Sequence, residues 1–259
     1  MFSTTAARTD QPDPKANPVI APPHVHALLN RLHELSVAQE KAATVEAINA
    51  EGFDNFMRDK FIALDQEKCW YVYQHCLASG ARNVVEVRTA FHFIHRKQIH
   101  ADKKRQAGTS FGVSTIYLAL AVAHNAALTG KSGQVIATEN EPSKARQARA
   151  NWKEAGDEVR QVIDLREGDL LETLKVNMPK EGIDLLLLDI WAPMALPTLK
   201  VVEPHLRSGA TILVDNLKDA ASRYKELINY LHDSQSGYTN MVLPFSRGLG
   251  MSVYIGKKM

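Results

Sequence analysis

Two short runs constrain the fold more than any other feature. IDLLLLD, Ile183–Asp189, and ATILVDN, Ala210–Asn216, are almost wholly apolar, and both finish on acidic or amide side chains. A strand with one solvated face alternates apolar and polar residues. A run that is apolar at every position needs cover on both faces, as in a parallel sheet flanked by helices. Similar runs predict strands at 83–87, 134–138, 161–166, 183–188, 210–215, 239–244 and 250–256. Helical patterns separate them. In NEPSKARQARANWKEAG, Pro142 stands near the first helical position, Ala145, Ala148 and Trp152 form an apolar stripe, and Gly156 ends the helix. Ahead of the first strand, residues 24–50 carry Leu28, Leu29, Leu32, Leu35 and Val37 near helical spacing. Residues 65–79 predict an amphipathic helix with Asp65 as N-cap and Gly80 as stop. The alternation defines an α/β chain with a doubly wound, mostly parallel seven-stranded sheet and N-terminal helices. The expected organisation is a tail over residues 1–23, which hold five of the eleven prolines, and one domain over 24–259.

Composition narrows the partners. No apolar run approaches the roughly eighteen residues of a membrane helix, so no membrane partner is expected. Cys69 and Cys76 share one helix and read as unpaired thiols of a reducing, cytoplasmic compartment. The net charge of +2 is local in origin. Residues 88–107 hold six basic side chains against Asp102 alone, a net of +5, and the rest of the chain is net −3. That distribution argues against a nucleic-acid partner for the domain as a whole.

In a doubly wound sheet, ligands sit beyond the carboxyl ends of the strands. The first strand ends with Glu86. After an interruption, Gly108-Thr109-Ser110-Phe111-Gly112-Val113-Ser114 leads into the helix TIYLALAVAHNAAL. Glycines allow a close backbone approach, and a helix N-terminus favours a negative group; taken alone, such spacing also suits an ordinary tight turn. Glu139 ends the second strand, where a carboxylate can accept both hydroxyls of a ribose or simply cap the next helix. Glu167–Asp169 follow the third strand, Asp189-Ile190-Trp191 the fourth and Asp215-Asn216 the fifth. Asp189, Asp215 and Asn216 are oxygen donors suited to a hard cation, or helix caps. His24, His26 and His33 read as surface or helix-face residues, the alternative being that they enter an acceptor pocket.

The motifs VVE…GTSFGVSTIYLA, ATENEPSKARQARANW, REGDLLETL, IDLLLLDIWAP and ATILVDN, in this order and spacing, resemble the S-adenosylmethionine-dependent O-methyltransferases of the catechol and caffeoyl-CoA type. The resemblance spans about residues 53–256. It implies the Rossmann-like class I methyltransferase sheet with an antiparallel last strand, S-adenosylmethionine as cofactor, and methyl transfer to a hydroxyl of a small-molecule acceptor. It implies that Glu86, Gly108, Thr109, Ser110 and Gly112 line the methionine end and that Ser114 meets its carboxylate. Glu139 would then hold the ribose, Asp169 and Leu170 would flank the adenine, and Trp191 would pack nearby. Asp189, Asp215 and Asn216 fall on the family's metal ligands, implying Mg²⁺, which would lower the pKa of the acceptor hydroxyl. The resemblance also allows a homodimer. One departure stands out: the lysine that often follows D-x-W is Ala192 here, so either the metal alone, held in part by Asp189, activates the hydroxyl, or Lys218 substitutes, or the acceptor chemistry differs; Asp189 and Lys218 are the catalytic candidates. Two alternatives follow, a cofactor-binding protein without turnover and an RNA methyltransferase. The second needs a basic face that the chain lacks outside residues 88–107.

The interruption admits three readings. FHFIHRKQIH interleaves aromatics with positive charge, as nucleic-acid contacts do, but His92, His95 and His100 fit no standard zinc spacing. A neutral surface insertion costs little in loop entropy, but this turn must cradle the cofactor. The third reading is a short intron carried into the reading frame. Removing Val87–Gln106, twenty whole codons, restores NVVE-AGTSFGVSTIYLA. Codons for Val-Arg and for Gln permit splice-donor and splice-acceptor sequences at its two ends.

Overall fold

In the computed structural model, the described residues are 16–42, 61–88 and 110–256. Gly108, Thr109, the three histidines of the interruption and the predicted helical residues 43–50 lie outside them. Seven strands form one sheet in the order β3-β2-β1-β4-β5-β7-β6. They are β1 Asn83–Arg88, β2 Gln134–Glu139, β3 Ile163–Glu167, β4 Ile183–Asp189, β5 Leu206–Asp215, β6 Tyr238–Leu243 and β7 Leu249–Tyr254. The first five run parallel, and β7 pairs antiparallel with both β5 and β6. The helices are α1 Pro23–Ala42, α2 Gln66–Ser79, α3 Val113–Thr129, α4 Pro142–Ala155, α5 Asp157–Arg160, α6 Leu170–Thr173, α7 Ala192–Val202 and α8 Lys225–His232. This is the doubly wound sheet that the apolar runs demand, with its antiparallel closing hairpin.

Successive strand residues point to opposite faces, so each strand feeds two cores. Val84, Val135, Leu185, Leu187 and Leu213 pack under α1–α4. Val85, Ile136, Leu186, Leu188, Ile212 and Val214 pack under α6–α8. Fully burying such side chains contributes about 1.5–3 kcal/mol each.

Two expectations need correction and a third refinement. The tail does not reach residue 23: Val19 is buried in the core, and the Ile20 N–H donates to Tyr73 Oη at 3.2 Å. Asp65 is the N-cap residue of α2, as expected, but its side chain makes no capping bond. Its carboxylate is 3.1 Å from Lys68 Nζ instead. Finally, β5 begins at Leu206, earlier than predicted, because the ladder to β4 shifts register between Ile183 and Leu185 and so accommodates Arg207–Gly209.

Candidate active site

The chain winds from β1 outward to β3 and then returns to β4 beside β1. That reversal makes the carboxyl ends of β1 and β4 a topological switch point, where such folds bind ligands. Glu86, Arg88 and Asp189 stand there, and the β2 and β5 ends bring Glu139 and Asp215 alongside.

Glu86 has no solvent exposure. It accepts hydrogen bonds from Ser114 Oγ and, at 2.5 Å, from Thr115 Oγ1. Burial raises its pKa; the two hydroxyl donors and Arg88 offset part of that rise. Ser114 is thus directed at Glu86, and Thr115 is a partner the sequence reading missed. Both sit in the first turn of α3, so this helix start is tied to the β1 end from below.

The glycine turn is held from the side. Phe111 and Gly112 both adopt left-handed backbone, with φ of 69° and 72°. Asn151 Nδ2 donates to Phe111 O and Trp152 Nε1 to Gly112 O, each at 2.9 Å. A Cβ at Gly112 would collide with the Trp152 indole. The A-N-W of α4 therefore clamps the turn. In the sequence, Trp152 was legible only as part of an apolar stripe.

Glu139 is buried, and its Oε1 accepts the backbone N–H groups of Asn140 and Glu141, both at 2.8 Å. Asp169 caps α6 by accepting the Leu171 N–H at 2.9 Å, with buried Leu170 beside it. Trp191 is half-buried at the start of α7. Just before it, Tyr224 Oη donates to Ile190 O at 2.8 Å. The hydroxyl of Tyr224 is shifted upward by burial and by the Asp189 and Asp215 charges.

The proposed cation ligands are already engaged by cationic side chains. Arg88 Nε lies 2.7 Å from Asp189 Oδ2, and Arg88 Nη2 donates to Ile62 O at 2.6 Å. Lys68 Nζ donates to Asp215 Oδ1 at 2.6 Å and to Asn216 Oδ1 at 3.4 Å. Asn216 Nδ2 donates to Asp215 Oδ2, and Asn216 is held at φ 56°. Burial pulls the Lys68 pKa down, but the Asp215 and Asp65 carboxylates more than offset it and leave it above its ordinary value. Among the described residues no three His, Cys, Asp or Glu side chains are placed to hold a metal ion. As arranged, Asp189, Asp215 and Asn216 do not fit Mg²⁺. Lys218, one of the catalytic candidates, is exposed, and its backbone N–H bonds to Arg247 O at 3.1 Å. The lysine against Asp215 is Lys68, which the sequence reading missed. Its signal was a charged residue on the buried face of α2, next to Cys69 and in phase with Val72, Tyr73 and Cys76.

A cavity of about 510 Å³ opens between α1 and the start of α2, lined in part by His33, Ser36, Leu64 and Asp65. His33 is buried and bonded to Tyr117 Oη at 3.0 Å. Asp65 joins this cavity to Lys68. Exposed His24 and half-buried His26 stay on the helix face, as expected.

Comparison with known proteins bears on the fold. A family profile described as "Methyltransferase domain" matches residues 106–217. Its match begins at the last residue of the interrupting segment. Among solved structures, a Klebsiella pneumoniae protein classed as an O-methyltransferase superposes with a TM-score of 0.62 at 17% identity, covering 92% of each chain. Cofactor-bound Rv0187 from MTB gives 0.61 at 20% identity, covering 94% of this chain and 98% of that one. The O-methyltransferase TomG from Streptomyces achromogenes, solved with S-adenosylmethionine, gives 0.57 at 18% identity, covering 88% and 99%. No curated protein matches the chain. The chain shares its fold with these proteins, and residues 106–217 match the methyltransferase-domain profile.

Proposed function

We propose that the protein transfers a methyl group from S-adenosylmethionine to a hydroxyl of a small-molecule acceptor. The observation that carries this reading is the row of carboxylates at consecutive strand ends, Glu86, Glu139 and Asp169, beside a glycine turn clamped at the N-terminus of α3. That donor set fits the cofactor: an amino-acid end at Glu86 and the α3 turn, a ribose diol at Glu139, and adenine at Asp169 and Leu170. The cofactor, when bound, supplies an electrophilic sulfonium methyl. The chain's residues hold it at the β1–β4 switch point, keep water from the reacting carbon, and orient an acceptor oxygen in line with the methyl. As the O–C bond forms and the C–S bond breaks, the acceptor's proton must leave. Asp189, at the switch point, and exposed Lys218 are the side chains proposed to receive it. The cavity lined by α1 and Asp65 is the proposed acceptor entrance. The two buried, unpaired cysteines support a reducing, cytoplasmic setting.

The segment Val87–Gln106 bears on this site through Arg88. Val87 and Arg88 extend β1 and pair with Leu188 and Asp189. In a chain lacking the segment, Ala107 and Gly108 would follow Glu86 and take those two register positions. A glycine would then replace the guanidinium now lodged between Asp189 and Ile62 O. We therefore expect the chain without Val87–Gln106 to bind S-adenosylhomocysteine at least about tenfold more tightly than the full chain, a difference of about 1.4 kcal/mol. Isothermal calorimetry on both forms measures it. Equal, tight binding would show that the segment is accommodated. Absence of binding by either would remove the methyltransferase reading. A labelled-methyl assay against a panel of phenols then separates turnover from cofactor binding alone.

A further inference from the structure

We propose that the Lys68 ammonium takes the place of a divalent cation between the acidic strand ends, so that this methyltransferase site is built to work without a metal ion. The inference rests on the functional reading above for its meaning, but its evidence is separate.

Lys68 and Asp215 are 1% and 2% exposed at their side chains, and they meet at 2.6 Å. A lysine ammonium has three donors. Here three oxygens stand around it, Asp215 Oδ1 at 2.6 Å, Asp65 Oδ2 at 3.1 Å and Asn216 Oδ1 at 3.4 Å. The set is saturated. The lysine is also fixed from behind: its neighbours on the same face of α2, Cys69, Val72, Tyr73 and Cys76, are all in the core. Nζ therefore reaches the strand ends because the helix is packed there, not because a long side chain has wandered in.

A divalent ion entering between Asp215 and Asn216 would have to displace this ammonium. Lys68 would then lose the Asp215 and Asn216 oxygens it now holds, and a buried charge deprived of its partner is strongly unfavourable. Magnesium also demands near-octahedral oxygen donors. Asn216 instead spends its Nδ2 on Asp215 and presents Oδ1 to Lys68. The amide orientation follows from that network. All four residues, Asp65, Lys68, Asp215 and Asn216, lie outside Val87–Gln106, so none of these contacts is made by that segment. Arg88 on Asp189 is a second, independent cation, and it goes with the segment. One consequence concerns the acceptor: without a metal to chelate, a single hydroxyl suffices, and a pair of adjacent oxygens is not required.

Manganese binding, read by electron paramagnetic resonance during titration, tests the proposal on the full chain. The expected result is no bound ion in the wild-type protein, and one bound ion per chain in Lys68→Met. That gain should vanish in Lys68→Met combined with Asp215→Leu, which removes both charges together and guards against loss of folding. Wild-type protein that binds manganese and loses it on Asp215→Asn would overturn the proposal. So would a folded Lys68→Met that gains no ion either in the full chain or in the chain lacking Val87–Gln106, where Arg88 is absent. Calorimetry with S-adenosylhomocysteine on the chain lacking Val87–Gln106 reports on the methyltransferase reading alone, so the two ideas fail separately.

Discussion

At the scale of single residues, charge burial governs the site. Lys68 and Asp215 form a buried ion pair, and removing one member leaves the other uncompensated. Lys68→Ala is expected to destabilise the fold by about 3–5 kcal/mol, whereas Lys68→Met with Asp215→Leu should recover most of that loss. Urea unfolding of the two variants checks the asymmetry. His33 gives a pH signature. Burial first, then Arg88, lower its pKa to about 4, with Asp65 opposing. In the unfolded chain it titrates near 6.5. Below that value the unfolded chain binds a proton that the folded chain refuses, so stability falls as pH drops from about 6.5 to about 4, by up to about 3 kcal/mol. Between about pH 7 and pH 4.5, wild type should therefore lose more stability than His33→Gln in parallel unfolding curves. Equal losses would mean that His33 is not held neutral by the fold.

At the scale of elements, the clamp between α4 and the glycine turn is the feature that converts packing into binding. Trp152 serves both purposes: its ring is in the core and its Nε1 holds Gly112 O. Trp152→Phe keeps most of the buried area and removes the bond, a change on the order of 1 kcal/mol in stability. The expected outcome is a protein that unfolds almost as before but binds S-adenosylhomocysteine several-fold more weakly, measured by calorimetry in the form lacking Val87–Gln106. Gly112→Ala is harsher, because the added carbon meets the indole and the backbone is left-handed there. By contrast, Leu187→Ala in the middle of β4 should cost about 2–5 kcal/mol of stability without a specific effect on the site.

At the scale of the whole molecule, the sheet was legible because burial on both faces leaves an unmistakable pattern. Runs such as IDLLLLD have few alternatives to a covered parallel strand, and all seven predicted strands are present. The hairpin of β6 and β7 and the helix ends marked by Pro142 and Gly156 followed from equally local chemistry. What was not legible depends on contacts between distant elements. Lys68 meets Asp215 across 147 positions of sequence, and Asn151 meets Phe111 across 40. No spacing rule announces either. The early end of the tail, at Val19, and the early start of β5, at Leu206, escaped for a related reason: each is ordered by a neighbour rather than by its own pattern. The candidate site divides the same way. The carboxylates at strand ends were visible one by one, but that two of them already carry buried cations was not.

The central claim is that S-adenosylmethionine lies across the carboxyl ends of β1, β2 and β3. The most direct measurement is a crystal structure of the chain lacking Val87–Gln106 grown with S-adenosylhomocysteine. The account predicts ligand density at those strand ends, with the ribose on Glu139, the amino-acid end at Glu86 and the α3 turn, and Lys68 still seated on Asp215. Density at any other place, or a site closed over the Glu86–Ser114 pair with no ligand while the protein fails to bind in solution, would contradict it.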